Sequence, residues 1–482
     1  MKYDNDAKQL KYRVLSSVAR LSYEEQLSEH MGDIPYEIIP GPQPAFRCCI
    51  YREREIIRER VTAACGQDLP QQESGQIVGV LPAACEGCPI NRFNVTDNCQ
   101  KCLAKKCVAA CPFGAVSVTG RGAYIDPAKC KECGRCAAAC PYNAISDTMR
   151  PCLRSCPVNA ITMDEYRLAA IDYSRCISCG ACMAGCPFGA ITDRSSLVSV
   201  IETIRSDKTV YAIFAPAIEG HFGTANVGQL KEGLRQLGFD KVVEVSLGAD
   251  ATAYHEAQEL KEVLAESKKM TTSCCPAFVD MIEKHFPKLE PNISHTASPM
   301  TMTVRYLKES DPDAMVVFFG PCVAKKLEIK KAEDSADYVM TFEELAAMFD
   351  AKGIDVEKLE VENEQDGSIK GKNFAVSGGV TAAVEAALKE EGFDQAVSCV
   401  KCNGAKECKK QLMVMNAGRM QEDLIEGMAC EGGCVAGPGG VEPVQKLMKN
   451  RQKLLAQADK RGIKENVHEI HDLTRIKMEQ RA

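Results

Sequence analysis

Hydrophobic and polar positions along the chain follow two regimes. From about Thr209 onward, short apolar runs alternate with amphipathic stretches. Thr209–Ala215, Lys241–Ser246, Met315–Phe319 and Asn373–Val376 read as short buried strands, each running into a glycine or proline turn. Gly228–Leu237, Ala253–Glu266 and Ala382–Glu390 carry helical periodicity and follow or separate the strands. Strands alternating with helices predict an α/β domain, placed over about 205–444. Residues 1–84 look mainly helical and charged, as in Tyr51–Arg60, and 85–195 are dominated by cysteine. A linker is expected near Asp193–Lys208. The tail over 445–482 reads as charged helix with a break at Gly462, packed on the main domain.

Composition sharpens this outline through one residue type. The 482 residues leave room for two to four domains with a sizeable core, and they include 27 cysteines. An odd number cannot pair completely into disulfides, and the N-terminal residues lack the apolar stretch of a secretion signal. No 18-residue apolar run is present, so no membrane span is expected. A net charge of −7 disfavours a nucleic-acid partner. The reading left is a reduced, cytoplasmic protein that uses thiolates as metal ligands.

Nineteen of the 27 cysteines fall between Cys48 and Cys186. Cys130, Cys133, Cys136 and Cys140-Pro141 form a C-x2-C-x2-C-x3-C-P run, repeated at identical spacing by Cys176, Cys179, Cys182 and Cys186-Pro187. Cys99, Cys102, Cys107 and Cys111-Pro112 give the same run with two residues inserted before the third cysteine. Each run continues into Gly-Ala or Asn-Ala and a β-branched residue. Zinc is the alternative, but three runs each closed by proline favour iron–sulfur. The pattern resembles bacterial ferredoxins carrying two [4Fe–4S] clusters, in which the fourth cysteine of one run ligates the neighbouring cluster. That rule completes Cys99, Cys102 and Cys107 with Cys140, and Cys130, Cys133 and Cys136 with Cys111. Cys156-Pro157 has the form of a run's end and would complete Cys176, Cys179 and Cys182. Cys152, as third ligand of a degenerate run, then joins Cys186 and the upstream pair Cys85 and Cys88 in an expected fourth accessory cluster, the alternative being four spare thiols. Cys48, Cys49 and Cys65 follow no pattern and read as buried apolar residues.

Three cysteine islands remain: Thr272–Phe278, Gly320–Lys326 and Met428–Cys434. Each stands at a turn beside a predicted element, where sites gather in open α/β sheets. In order and separation they resemble the signature motifs of [FeFe]-hydrogenases, over about Thr209 to Pro443. The resemblance implies α+β ferredoxin-like iron–sulfur domains followed by an α/β catalytic domain of two lobes, each a mostly parallel sheet flanked by helices. It implies an H-cluster, a [4Fe–4S] cubane joined to a diiron centre with CO, cyanide and azadithiolate. Cys275, Cys322, Cys430 and Cys434 match the cubane ligands, with Cys434 bridging. Cys274 matches the proton-relaying thiol, Lys325 the lysine on a cyanide, Met428 the methionine near the bridging CO, and Ala215 and Pro216 the loop at the other cyanide. Glu256 and Glu259 match two relay glutamates and Ser294 a relay serine, although an i, i+3 acidic pair is also the mark of a solvated helix face.

Several positions depart from the better-studied branch and point to a divergent, group B-like one. Gly320 replaces a methionine, Phe278 a tryptophan and Ala217 a serine, and Ala436–Gly440 replaces a Gly-Gly-Gly-Gln-Pro end. Gly378 and Gly379 read as a tight turn close to the active cluster, and Cys399, Cys402 and Cys408 as buried thiols. His221, His255, His285 and His295 read as surface or core. The implied activity is reversible H2 oxidation and proton reduction, with electrons delivered through three or four accessory [4Fe–4S] clusters. Implied partners are ferredoxin or a similar redox protein and the diiron maturation proteins. A hydrogen sensor and an electron-transfer protein on the same scaffold are the alternatives; relatives that lost the diiron unit lose pocket residues, whereas Cys274, Lys325 and Met428 are present here.

Overall fold

The structure, a computed structural model, describes residues 3, 5–69, 72–85, 88, 91–332, 334–393 and 395–479. Met1, Lys2 and Asp4 of the N-terminal segment, Glu86, Gly87 and Pro89 of the upstream cysteine motif, and the tail's last residues, 480–482, lie outside the described residues.

Two parallel sheets organise the α/β region. The larger has the order Lys241–Glu244, Val210–Phe214, Met315–Phe319, Tyr338–Met340. The smaller has the order Met270–Thr271, Leu424–Met428, Cys399–Asn403. All of their pairings are parallel. The central strands are apolar almost throughout because helices cover both faces. Strands of both sheets run into Ala215-Pro216, Pro321-Cys322, Thr272–Cys275 and Ala429-Cys430, so their carboxyl ends present every island of the second cysteine set.

The cysteine-rich region is two small modules, one nested in the other. In the inner module, strand Phe93–Val95 pairs antiparallel with Ile145–Asp147 around the hairpin Val116–Val118/Ala123–Ile125. In the outer module, Val78–Val80 pairs with Ile191–Asp193 around the hairpin Ile161–Met163/Ala169–Ile171. The outer module therefore starts before residue 85, and the whole inner module interrupts it. The fold class is the expected one, α+β ferredoxin-like modules followed by a two-lobed α/β domain.

Six elements differ from the sequence reading. Asn373–Val376 is not a strand. It follows the short helix Ile369–Asn373, whose N-cap Ser368 accepts from the amides of Lys370 and Gly371, and a short apolar run carries no period to separate the two readings. The expected linker contains the helix Leu197–Ile204, with Leu197, Val200 and Ile201 fully buried. The helix expected from Ala253 starts at Ser246, and the strands Tyr338–Met340, Cys399–Asn403 and Leu424–Met428 went unread. In the last of these, Gly427 interrupts the apolar pattern because the Phe278 ring lies where a side chain would go.

The N-terminal helix Asp6–Tyr23, capped by the Asn5 side chain, lays its apolar stripe on the helices Leu197–Ile204 and Phe342–Ala351. A buried ion network ties it to the rest. Lys326 Nζ meets Asp193 at 2.7 Å and Glu344 at 3.0 Å. Lys11 Nζ meets Asp193 at 2.8 Å and Glu343 at 2.7 Å. Burial alone would raise the Asp193 carboxyl, but Lys11 and Lys326 hold it well below the usual range. The tail contributes the helix Val444–Leu455, and past Gly462 it packs Asn466 onto Asp250 at 2.7 Å. No helix among the described residues is long and apolar enough to cross a membrane.

Candidate metal centres

The accessory cysteines lie in groups that mix thiols of different runs. Burial, then Cys140 and Cys102, raises the Cys107 thiol, and burial, then Cys130 and Cys111 among its neighbours, raises Cys136. Cys179 is pushed up to about 12 by burial, with Cys176 and Cys156 beside it, and Cys182 faces the same three. Cys152 is pushed up to about 11 by burial, then by Cys186, Cys85 and Cys88. Each group includes a thiol from another run, the kind of arrangement the swap rule predicts.

The two modules repeat one hydrogen-bond pattern. Amides at the fourth position after each Cys-Pro cysteine donate to sulfur: Ala115 to Cys111 at 3.3 Å, Ala144 to Cys140 at 3.4 Å, Ala160 to Cys156 at 3.2 Å and Ala190 to Cys186 at 3.3 Å. The second strand of each inner hairpin donates to a first cysteine, Ala123 to Cys99 at 3.4 Å and Ala169 to Cys85 at 3.3 Å. The Cys-Pro turns need a left-handed residue at Gly114, Asn143, Asn159 and Gly189, with φ of 61°, 48°, 53° and 55°. Glycine and asparagine tolerate that region best, which explains the Gly/Asn of the repeat. Cys85, Cys88, Cys152 and Cys156 are thus one run split by the inserted module, not a degenerate one. No local spacing could show this, because the inner module stands between Cys88 and Cys152.

The α/β domain brings Cys275, Cys322, Cys430 and Cys434 together where the two sheets face each other. Cys275 precedes the helix Pro276–His285, which proline starts, and Cys434 opens a short 3-10 turn after Gly433. Gly433 has φ 93°, and a Cβ there would strike the backbone of Ala375 and Val376, so only glycine lets Cys434 approach. Burial, then Cys275, pushes Cys322 up to about 12; burial, then Cys322 and Cys275, raises Cys434. Cys430 faces Cys322, Cys434 and Cys275, and also Cys179 of the adjoining quartet. Among the described residues, no three His, Cys, Asp or Glu side chains close on one point as a mononuclear site requires. Four thiols that act on one another are the donor set of a polynuclear iron–sulfur group.

Beside this quartet lies an apolar cavity of about 80 Å³, lined among others by Ala215, Pro216, Cys274, Lys325, Met428 and Cys434. It holds roughly five to eight water-sized groups, enough for a compact inorganic unit and too little for a nucleotide or flavin. Burial opposes the Lys325 charge, but Glu328 at 2.6 Å and the nearby Cys322 and Cys274 raise it, and Ser298 accepts from its ammonium at 2.9 Å. Gly320 has no room for a side chain because the Phe318 ring occupies it, and Phe278 packs flat on Gly427. Two of the departures from the better-studied branch therefore compensate neighbours. Gly378 and Gly379 are not among the lining residues; Gly378 donates to the buried Glu426 at 2.6 Å and begins the helix Gly379–Glu390.

Glu256 is fully buried rather than solvated. Its carboxyl is pushed up to about 8 by burial, and it accepts from the Ser273 amide at 3.2 Å. Burial, then Glu256, raises the Cys274 thiol. Further out, Glu259 accepts from Ser294 at 2.7 Å and Thr296 at 3.2 Å, and meets the exposed His295 ring at 3.2 Å. Ser273, Thr296, Ser298 and Glu328 were not read from sequence, since single hydroxyls and an i+3 glutamate carry no motif. Because Glu256 binds its proton more tightly folded than unfolded, its contribution to stability is full below its unfolded pKa near ~4.3 and is lost as pH rises through about 8. Glu256→Gln is expected to remove this dependence, gaining on the order of 3–5 kcal/mol relative to the parent between pH 5 and pH 9. Denaturant titrations of both proteins at the two pH values check it; parallel losses would refute the assignment.

Cys402 and Cys408 are buried with their thiols in contact, and Cys408 donates to the Met428 carbonyl at 3.5 Å. Cys399 lies in a different apolar cluster from those two, so the three do not converge. Cys48 is exposed and Cys49 and Cys65 half-buried, which corrects the reading of all three as core residues; they flank the helix Ile50–Ala64 or lie in the loop before it. His221 is buried, with its ring pushed down to about 3 by burial, and His285 contacts the Arg175 carbonyl at 2.9 Å.

A paired ferredoxin-like front end leading to a buried four-thiol pocket defines an iron–sulfur protein of oxidoreductase kind. Residues 208–438 match the C-terminal domain of the iron only hydrogenase large subunit, residues 123–146 a 4Fe-4S binding domain, and residues 146–197 the LdpA Fe-S cluster-binding domain. Residues 208–438 are thus similar to an iron only hydrogenase domain, and the distance of the relatives fits a divergent branch. Iron hydrogenase 1 of Clostridium pasteurianum is 29% identical over 332 residues, 56% of this chain and 58% of the relative. The periplasmic [Fe] hydrogenase large subunit of Nitratidesulfovibrio vulgaris is 30% identical over 269 residues, 45% and 63% of the two chains. The cytosolic Fe-S cluster assembly factor NAR1 of Kluyveromyces lactis is 26% identical over 288 residues, 45% and 61%. The chain thus spans about three fifths of the length of these relatives. An apo [FeFe]-hydrogenase of Chlamydomonas reinhardtii superposes with a TM-score of 0.49 at 25% identity, covering 58% of this chain and 94% of that one.

Proposed function

We propose that the chain is an [FeFe]-hydrogenase that interconverts H2 with protons and electrons, exchanging the electrons with a ferredoxin-type protein. The observation that carries this reading is the cavity itself: Cys274, Lys325 and Met428 line it beside four half-buried cysteines, and buried carboxyl and hydroxyl groups lead from it toward solvent. An electron carrier needs no such proton path. Cys275, Cys322, Cys430 and Cys434 would hold the cubane of an H-cluster, with Cys434 shared with the diiron centre. The Lys325 ammonium would fix a cyanide, Met428 would face the bridging CO, and the Ala215-Pro216 turn would hold the other cyanide. When bound, the diiron centre supplies the open metal site and the nearby base at which H2 is made or split. The Cys274 thiol would pass a proton between the cavity and Glu256, and Ser294 and Glu259 would carry it to the surface near His295. The accessory cysteine groups would wire one-electron carriers to this two-electron site, with Cys179 nearest to Cys430 and Cys152 next to Cys182.

Expression with the diiron maturation proteins tests the reading. Turnover of H2 together with infrared bands of CO and cyanide is the expected result. Bands without turnover would favour a sensor. No bands at all would favour the assembly or electron-carrier role that the similarity to NAR1 suggests.

The inner module offers the port for the partner. The two-residue insertion between Cys102 and Cys107 projects Leu103, which is 96% exposed, among the exposed Lys101, Lys105 and Lys106. Cys133 on the same module is exposed, while the chain as a whole carries −7. A basic, apolar-centred face fits an acidic redox protein. Leu103→Ser with Lys105→Glu is expected to raise KM for ferredoxin roughly tenfold, most strongly at low salt, and to spare turnover with a small artificial donor. An unchanged KM would place the port elsewhere.

A further inference from the structure

Cys85, Cys88, Cys152 and Cys186 differ from the other accessory quartets in the charge around them. Arg60, 5% exposed, donates from Nη2 to the carbonyls of Gly189 at 2.8 Å and Phe188 at 3.4 Å, in the turn that follows Cys186. Arg47 donates to the carbonyl of Ala84, the residue before Cys85, at 2.8 Å and lies over the Phe188 ring at 4.5 Å. Arg150, 7% exposed, N-caps the short helix that carries Cys152, and its charge reaches both Cys85 and Cys88. Among the described residues no carboxylate lies within ion-pair distance of these guanidiniums, and Arg60 Nε and Arg150 Nη1 have no hydrogen-bond partner. Glu343 and Glu59 act on Arg60 only from a distance.

Among the described residues, the cations beside Cys99 and Cys176 of the other quartets are lysines. Cys99 has the exposed Lys101 beside it. Lys284 stands beside Cys176, but Asp280 at 3.6 Å already offsets its charge. Burying two guanidiniums without counter-ions is strongly unfavourable unless an anion belongs between them. A [4Fe–4S] group on four thiolates is that anion, with a net charge of about −2 that becomes about −3 on reduction. Burial disfavours the added charge and lowers the reduction potential, whereas fixed cations favour it and raise the potential.

We infer that Arg60 and Arg150, assisted by Arg47, set the cluster on Cys85, Cys88, Cys152 and Cys186 at the highest reduction potential of the accessory chain, so that it stores an electron beside the innermost quartet. The inference rests on the proposal that the quartets hold clusters. One electron leaves a reduced iron–sulfur donor and reduces this cluster, with no bond made or broken. It waits there until a second electron arrives, and the pair with two protons then gives H2. Arg60 and Arg150 are positioning residues of charge, since neither touches the reacting atoms.

The full chain, expressed without the diiron maturation proteins and reconstituted with iron and sulfide, provides the test through a redox titration followed by electron paramagnetic resonance. The parent is expected to bind about twenty iron atoms, four per cubane, and to show one signal that reduces at clearly more positive potential than the rest. Arg60→Gln and Arg150→Gln should move that signal alone to more negative potential, and Arg60→Lys and Arg150→Lys should restore most of it. About sixteen iron atoms in the parent would overturn the four-cluster reading and the inference with it. Twenty irons with all signals in one potential range, or glutamine variants that shift none, would overturn the inference alone. If the glutamine variants lose iron, the lysine variants decide: iron retained at high potential supports the assignment, and iron retained at lowered potential refutes it.

Discussion

Cys274→Ala is expected to lower H2 evolution by about 10²- to 10⁴-fold in the matured protein, the range that a positioned proton carrier contributes. The Cys274 thiol lines the cavity and faces Glu256, but it is not one of the four thiols that converge next to it. Its loss should therefore leave the iron content and the infrared bands of the diiron centre in place while removing the first proton step. Cys274→Asp, which restores an ionisable group of similar reach, should recover part of the rate. Loss of the bands together with the rate would show that Cys274 holds the group rather than serving it.

Lys326→Ala is expected to destabilise the chain by about 3–5 kcal/mol, because it leaves Glu344 buried without a cation and Asp193 with Lys11 alone. These partners come from different parts of the molecule. Asp193 ends the outer ribbon of the cysteine-rich modules, Glu344 lies in the helix Phe342–Ala351, and Lys11 brings in the N-terminal helix. Urea titration at neutral pH measures the loss. Asp193 adds a pH signature: its contribution is full above its unfolded pKa near ~3.9 and fades as pH falls below it, so the parent should lose its advantage over Lys326→Ala in acid. An equal gap at acid and neutral pH would remove Asp193 from the account.

The sequence was most informative where chemistry is local. Thiols at C-x2-C-x2-C spacing announce their ligand role without any knowledge of the fold, and the turn residues after each Cys-Pro repeat because the backbone there is left-handed. The sheet at Val210–Phe214 and Met315–Phe319 was legible for a similar reason, being continuous in apolar residues. What escaped depends on distant packing. Leu424–Met428 hides a glycine that only the Phe278 ring explains, and Asn373–Val376 imitates a strand while lying in a turn after a helix. The burial of Glu256, which turns an apparent surface acid into a group that titrates near neutrality, is a property of the helix's surroundings and not of its own pattern. The three arginines at the split run have no motif either, since each acts on residues far away in the chain.

The nesting of the modules also has a consequence for the order in which the chain is made. Residues 93–147 close on themselves: their two end strands pair, and Arg92 clamps Asp147 through two contacts of 2.8 Å at the neck. The inner module is in effect a cassette, able to fold as soon as it leaves the ribosome. The outer module cannot, because Val78–Val80 must wait for Ile191–Asp193. At ordinary translation rates of about 5–20 residues per second, Cys85 and Cys88 stay unpaired with their partners for roughly five seconds or more. The thiols of the inner module are thus enclosed before those of the split run, and Cys275, which waits for Cys434, stays open to stray metal or oxidant longer still.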